Sequence, residues 1–510
     1  MIEFIPNSDS PYLIDECKIR GNADRVAIPE NEDELSALLL ECNDRSIPVT
    51  ISGLRTGLCG GSVPYGGTLV SLERLNSVIG IGEDDRGFYV RTQPCVTVDE
   101  IVRMVRLKHV SSISDITDDA CARFRSDDRM FFYPVDPTEM HGSIGGNIST
   151  NASGPRTFRY GPTRDWVRSV RLMLPDGRTV RITRGENIAK GRHMDANVDG
   201  VHLEFDVPGY DFNTDVKNAA GIYARNDVDL LDLIIGSDGI FGVIVEADVY
   251  LTEWHPLISN IIFMPDDDSA LGLIDDLRHD DVVDPEFLEY FDCGSVDLVR
   301  RSCSVDPTIL RPPEGKRSAV FLDLPMDGSV ESRYERLFEL VRRNGGDPSD
   351  SWTGYGDKDR ERMFRFRHSV PKSIFNYVAS LKKDMPAINK MGTDMSVPEE
   401  RNREMMAEYG RVLGSYGLEY VIFGHLGNCH PHAEIILKDM EDLRKAKEAY
   451  AVLARRAFEL GGSPSAEHGI GKLKRDYIMM MYGAEGTEGI RRMKMAFDPN
   501  MILNRGNIIE

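Results

Sequence analysis

Between Arg25 and about Leu251, apolar residues recur in short groups whose spacing alternates between that of helices and that of strands, with glycines between them. Asn31 precedes Glu32, Asp33 and Glu34, and Leu35, Leu38, Leu39 and Cys42 follow at helical spacing. An N-cap, early acids and that spacing predict a helix, and Val49-Thr50-Ile51 beyond it predicts a short strand. Two stretches break the alternation. Ser111 to Arg129 is polar and acidic, and Thr183 to Asp215 is charged, irregular and rich in Asp, Gly and His. Both are expected to be solvated loops inserted on the surface.

A second region, about Glu253 to Ala466, again mixes the two periods. Ala319 to Leu324 and Tyr420 to Phe423 have strand character, whereas Tyr334 to Arg343 and Asp442 to Leu460 carry apolar helical faces. The pattern predicts an α+β layer of a few antiparallel strands with helices on one side. The last segment, Ile490 to Ile509, reads as a helix that stops near Phe497-Asp498-Pro499 and turns. There is no internal repeat and no low-complexity tract.

With 510 residues and 41% hydrophobic content, the chain holds about three units, each able to bury a core. A net charge of −22 opposes nucleic acid and anionic membrane surfaces as general partners, because a polyanion needs clustered Lys and Arg to displace its counterions. An anionic substrate would therefore need a local cationic pocket. The eight cysteines are scattered without a C-x-x-C pair, which argues for reduced thiols in a cytoplasm-like compartment. The same scatter argues against an iron–sulfur cluster built into this chain. Met1 to Asn7 lacks a basic segment followed by an apolar one, and nowhere do about 18 apolar residues run together. Neither a secretory signal nor an integral membrane segment is expected.

Three glycine clusters punctuate the first region. Ser52-Gly53-Leu54-Arg55-Thr56-Gly57-Leu58-Cys59-Gly60-Gly61-Ser62 follows a strand, and successive N–H groups in such a loop can form a concave nest for a pyrophosphate. Gly142 to Gly154 interleaves glycines with Ser143, Asn147, Asn151 and Ser153, whose short polar side chains can reach a ligand. Gly236-Ser237-Asp238-Gly239-Ile240-Phe241-Gly242 is the third. None opens a helix as G-x-G-x-x-G or reads G-x-x-x-x-G-K-[ST], so the common dinucleotide and P-loop signatures are excluded. Together the three clusters point to a large extended cofactor on a less common scaffold.

The chemistry-bearing side chains gather near the C-terminus, where Gly424-His425-Leu426-Gly427-Asn428-Cys429-His430-Pro431-His432 and Glu467-His468-Gly469-Ile470-Gly471 hold four of the 11 histidines. A hairpin between Tyr420–Phe423 and Ala433–Leu437 would bring His425 and His432 to one end of a sheet, and His430 and His432, two apart, share a face. Two imidazoles, a carboxylate and an open position suit a catalytic divalent ion. Spacing alone does not choose which histidines would bind it.

The glycine clusters, in this order, resemble the FAD-binding domain of the vanillyl-alcohol oxidase/PCMH flavoproteins. The second half resembles the FAD-linked oxidase C-terminal domain of glycolate oxidase D subunits, D-lactate dehydrogenases and D-2-hydroxyglutarate dehydrogenases. The resemblance implies an α+β fold, in which a two-subdomain PCMH-type FAD-binding domain over 1–253 carries insertions at about 107–130 and 183–215. An α+β substrate domain with an antiparallel sheet would span 254–466, and 467–510 would return to the FAD domain. Implied FAD contacts are Gly53, Arg55, Thr56, Gly57, Gly60 and Gly61; Pro137 within Asp136-Pro137-Thr138; Gly142, Gly145, Gly146, Asn147, Asn151, Ser153 and Gly154; Tyr160 and Gly161; Gly236, Asp238, Gly239 and Gly242; and Glu467 and Asn504. The family's G-H-x-G-D-G-N-x-H and E-H-G-I-G patterns assign a divalent metal, zinc or manganese, to His425, His432 and Glu467. They assign the catalytic base to His468. Arg367 resembles the arginine of the family's R-E pattern, with His368 in place of the Glu, and Lys390 precedes Thr393-Asp394-Met395-Ser396-Val397-Pro398 much as a family lysine precedes D-x-S-x-P, so both are implied carboxylate-binding cations. Asn428, Cys429 and His430 depart from the usual Asp, Gly and Asn, and Glu434 stands where many members carry a substrate-contacting Asn.

The implied reaction is oxidation of a small D-2-hydroxy acid to the 2-keto acid. The implied acceptor is a separate iron–sulfur subunit, an electron-transfer flavoprotein or a quinone, with the protein a homodimer, cytoplasmic or peripheral to the inner membrane. Two other readings fit some of the same residues: a non-redox flavoprotein like the alkylglycerone-phosphate synthases, and a zinc hydrolase built on His425, His432 and Glu467.

Overall fold

A computed structural model describes residues 1–110, 113–304, 306–315 and 318–510. The first predicted helix spans Glu32–Asp44, capped by the Asn31 side chain, which accepts from the Glu34 N–H at 3.0 Å. Its face of Leu35, Leu38, Leu39 and Cys42 is buried on a four-stranded sheet ordered Ile2–Phe4, Arg25–Ile28, Thr68–Ser71, Val49–Ser52, whose last three strands are parallel. A six-stranded sheet follows, ordered Thr179–Thr183, Val167–Met173, Val243–Tyr250, Gly87–Thr92, Val78–Asp84, Ser114–Asp115.

The two interrupting stretches are not bare loops. In the first, Ala120–Ser126 is a helix that buries Ala120, Cys121 and Phe124; Ser111 and Ser112, where that stretch begins, lie outside the described residues. In the second, His193–Val198 and Val201–Asp206 form an antiparallel hairpin. Asp199 and Gly200 make its turn at φ 50° and 82°, the left-handed pair that a two-residue hairpin requires. Met194, Ala196, Val198, Val201, Leu203 and Phe205 face inward, while His193, Asp195, His202 and Glu204 face water. The charges that suggest a loop are one side of a half-buried strand pair.

The second region folds around a seven-stranded antiparallel sheet ordered Ser351–Tyr355, Leu257–Met264, Ser318–Pro325, Phe287–Phe291, Glu419–His425, His430–Ile436, Met391–Gly392. Its core takes in apolar faces of the helices Asp267–Leu277, Val330–Arg343, Asn402–Ser415 and Met440–Glu459. The chain then crosses back. Ile478, Ile490, Met493 and Phe497 of the helical segment Arg475–Phe497 join the core of the six-stranded sheet, and Ile502 and Leu503 join that of the four-stranded one. Hydrogen bonds from Val49 N to Ile502 O (2.8 Å) and from Asn504 N to Val49 O (2.7 Å) close the return. Among the described residues no helix is long and apolar enough to cross a membrane.

Candidate active site

Strands Glu419–His425 and His430–Ile436 are joined by the turn Leu426–Cys429, in which Cys429 takes a left-handed φ of 51°. The register sets His425 opposite His430, with His432 two residues on, so the three rings share one sheet face. Their centroids are 4.5 Å (His430–His432), 5.2 Å (His425–His432) and 5.6 Å (His425–His430) apart. Glu467 reaches the same place from the crossing segment, with its carboxylate 3.6 Å from His425 Nε2, 3.8 Å from His430 Nδ1 and 3.4 Å from His432 Nε2. One ligand atom from each of these four residues lies within 4.8 Å of the others, so all four could hold a metal ion.

Charge in this buried cluster is balanced by groups from other elements. Burial resists ionisation of Glu467, yet Lys217, whose Nζ is 2.6 Å from Oε2, and the neighbouring histidines hold it well below the usual carboxylate range. Asp394 is likewise held low against burial, by His468 and by Lys474 Nζ at 2.5 Å. It accepts from the N–H groups of Glu467 and His468, each at 3.1 Å, which fixes the turn that presents both side chains. His468 Nδ1 lies 3.2 Å from Asp394 Oδ2. Burial pushes the pKa of His468 down to about 4 although Asp394 opposes it, and the quarter of the side chain left accessible moderates that push. The ring is therefore neutral near pH 7, as a proton acceptor must be.

Arg367, on the helix Asp357–Leu381, is buried and grips Glu289 through Nε and Nη2, the latter at 2.8 Å. Glu289 also lies 2.9 Å from His425 Nδ1, so the arginine reaches the histidine cluster through it. Lys390 Nζ is 2.5 Å from Glu434 Oε1 at the far end of the same sheet face, and the other Glu434 oxygen is buried with no hydrogen-bond partner among the described residues. Both cations assigned to a substrate carboxylate thus already have acid partners.

The glycine clusters converge on the crossing segment. Lys472 N donates to Cys59 O (2.9 Å), Gly471 N to Asp238 Oδ2 (2.8 Å), and Cys59 Sγ to Gly469 O (3.4 Å). Asn504 accepts from Ile51 N (2.8 Å) and donates to Asp238 O and Gly239 O, pinning Gly236–Gly242 to the strand before the loop. No backbone N–H from Leu54 to Gly61 donates to a protein acceptor among the described residues. Most of these groups are open to water, and a row of free donors of this kind fits a pyrophosphate. Close approach explains the glycines: a Cβ on Gly53 would sit 2.8 Å from Ser143 Oγ, and one on Gly145 2.6 Å from Pro94 Cβ. The Asn147 amide nitrogen and the Ser153 hydroxyl are buried and unpartnered among the described residues, two further groups that await a ligand. Gly142 and Gly146 precede this pair along the chain, and Gly154 follows it. The Gly154 Cβ position is filled by Asp136 O, which brings Pro137 alongside. Tyr160 and Gly161 close the short helix Thr157–Tyr160, and the Tyr160 carbonyl accepts from Trp166 Nε1 at 2.7 Å. Arg55 and Gly60 take left-handed φ, and Arg55 lies over the Tyr12 ring. A cavity of about 580 Å³ between the two domains is lined in part by Asn151, Ser153, Gly161, Lys217, Asn428 and Ala466. The residues present fit an FAD.

Sequence reasoning passes over Lys217 and Glu289, and meets Asp394 only within the motif that follows Lys390. Glu289 carries a legible signal, as a lone acid in Phe287-Leu288-Glu289-Tyr290-Phe291, where every residue is buried. Lys217 has no such mark, because its partner is 250 residues away.

Comparison with known proteins agrees with this geometry. Residues 23–118 and 125–183 match the FAD binding domain family, and residues 260–508 match the family described as FAD linked oxidases, C-terminal domain. The chain is 26% identical to the glycolate oxidase subunit GlcD of Bacillus subtilis over 493 residues, covering 95% of this chain and 88% of that protein. It is 27% identical to a D-lactate dehydrogenase of Anaerostipes hadrus over 522 residues, covering 98% and 92%. Among solved structures, an alkyldihydroxyacetonephosphate synthase superposes with a TM-score of 0.60 at 14% identity, over 96% of this chain and 77% of that one, a likeness of fold alone.

Proposed function

The chain belongs to the flavoprotein oxidoreductases that join an FAD binding domain to the C-terminal domain of FAD linked oxidases, and from that premise we propose that it oxidises a small D-2-hydroxy acid to the 2-keto acid. The observation that carries this reading is the segment Glu467–Lys472, which has one end in the histidine cluster beside His468 and the other against the glycine loop. The names of the relatives, a glycolate oxidase subunit and a D-lactate dehydrogenase, point the same way.

Such an oxidation takes a proton from the hydroxyl and a hydrogen with its bonding pair from Cα. His468 is assigned the proton: its Nδ1 lies 3.2 Å from the Asp394 carboxylate, which favours the ring's own proton on that nitrogen and leaves the lone pair on Nε2 to accept the substrate's. FAD, when bound, supplies the two-electron acceptor. A divalent ion, Zn²⁺ or Mn²⁺, held by His425, His432 and Glu467 would supply positive charge beside the hydroxyl oxygen. Arg367 and Lys390 orient the carboxylate end; Glu289 holds Arg367 in place, and Glu434 competes with the substrate for Lys390. Reoxidation falls to a separate iron–sulfur subunit, an electron-transfer flavoprotein or a quinone.

Anaerobic mixing of the purified protein with a panel of D- and L-2-hydroxy acids tests the reading. Visible flavin absorbance should bleach with one D-acid. Protein that is colourless and releases no flavin on denaturation would end the reading and leave a hydrolase built on the same histidines.

A further inference from the structure

Each imidazole of the cluster has an acceptor beside its outer nitrogen. Glu289 Oε1 lies 2.9 Å from His425 Nδ1, the Thr393 carbonyl 3.1 Å from His432 Nδ1, and Asp394 Oδ1 3.1 Å from His430 Nε2. Protons on the outer nitrogens of His432 and His430 leave lone pairs directed inward on His432 Nε2 and His430 Nδ1, and His425 Nε2 points the same way, although the contact of His425 Nδ1 with Glu289 is not aligned as a hydrogen bond. All three face the Glu467 carboxylate, at 3.6, 3.4 and 3.8 Å. His430 Nδ1 is buried and has no hydrogen-bond partner among the described residues. Its orienting partner is itself fixed, since Asp394 also accepts from the N–H groups of Glu467 and His468 and from Lys474. An outer N–H held by a carboxylate is how proteins aim a histidine at a metal.

We propose that His430, through Nδ1, completes a three-histidine, one-glutamate metal site with His425, His432 and Glu467, and that the working ion is six-coordinate, of the Mn²⁺ or Fe²⁺ type, rather than zinc. The second half rests on the hydroxy-acid reading above. Four protein ligands close a tetrahedral zinc site, whereas catalytic zinc keeps one position open. A six-coordinate ion with four protein ligands keeps two positions. A 2-hydroxy acid presents two oxygens on adjacent carbons, its hydroxyl and its carboxylate, to fill them. The competing cation is Lys217, 2.6 Å from Glu467 Oε2, which the ion must displace from that oxygen or share the carboxylate with.

The FAD-loaded protein is stripped with a chelator and titrated with Mn²⁺, the free ion being followed by its electron paramagnetic resonance signal. The wild type should take up one ion per chain. His430→Asn and His430→Gln should each weaken that binding by more than the roughly 10–100-fold that loss of a ligand's outer partner costs, with His193→Asn on the exposed hairpin as the unaffected control and equal FAD content as the check on folding. In a second arm, the D-2-hydroxy acid that reduces the flavin fastest is mixed with Mn²⁺- and Zn²⁺-loaded protein. Zinc should suppress reduction in the wild type and restore it in His430→Asn, where a position reopens. Absence of Mn²⁺ binding, or unchanged affinity in both His430 variants, would overturn the ligand assignment, and equal reduction of the wild type with either metal would overturn the choice of ion. If no hydroxy acid reduces the flavin in any form, the oxidation reading fails and the Mn²⁺ titration alone decides the role of His430.

Discussion

Replacing Lys217 by methionine keeps the aliphatic stem and removes the ammonium group that faces Glu467. The two side chains are 2% and 9% exposed, so the carboxylate would be left buried among imidazoles with no compensating charge from that side. Breaking a buried ion pair by removing one partner costs about 3–5 kcal/mol. A folding unit of roughly 200 residues shifts its midpoint by about 2–4 °C per kcal/mol, so the metal-free variant should melt roughly 6–20 °C below the wild type. A divalent ion in the cluster supplies the missing charge, and the deficit should shrink severalfold when Mn²⁺ is saturating. Four melts followed by near-ultraviolet circular dichroism decide it: wild type and Lys217→Met, each chelated and Mn²⁺-loaded. The reasoning fails if the chelated variant melts with the wild type, or if Mn²⁺ leaves the deficit unchanged.

Three other outcomes are expected. His468→Asn should lower kcat by about 10²–10⁴-fold, the usual worth of a positioned base, at unchanged FAD content; a loss within twofold would move the base elsewhere. Glu434→Gln frees Lys390 from its 2.5 Å partner, so KM for D-2-hydroxyglutarate should fall about tenfold relative to D-lactate, the worth of one charge-assisted hydrogen bond; parallel changes for both acids would refute it. Burial raises the pKa of Asp238 to about 6 from 3.8, so the folded state retains a proton that the unfolded chain has lost. Its contribution to stability is full below about pH 4 and falls, by up to about 3 kcal/mol, as pH rises to about 6. The stability difference between wild type and Asp238→Asn, measured by denaturant titration across that range, should show this slope, and parallel curves would count against it.

Local chemistry explains what could be read from the chain beforehand. The Asn31 cap, the glycine loop and the hairpin carrying His425, His430 and His432 each depend on residues close in sequence, so turn chemistry and spacing are enough to place them. The 193–206 hairpin is equally local and carries the same kind of signal in Asp199-Gly200, but its charged outward face resembles loop composition unless each strand is read at period two. What stays hidden is the set of outer partners. Glu289 faces His425 because of strand register, Asp394 meets His430 across 36 residues, and Lys217 meets Glu467 across 250. Single-residue propensity says nothing about such pairs: Lys217 and Asp394 alone would be ordinary surface charges, and Glu289, though marked by its apolar strand, does not name its partner. Yet the outer partners decide more of the chemistry than the inner ones do. They fix which nitrogen of His430 and His432 keeps its proton, and so help turn three histidines that share a face into a set of inward ligand atoms around one carboxylate. A site of this kind is specified twice, once by the residues that touch the ligand and once by the acceptors that aim them, and the second specification is the one that only the folded chain makes visible.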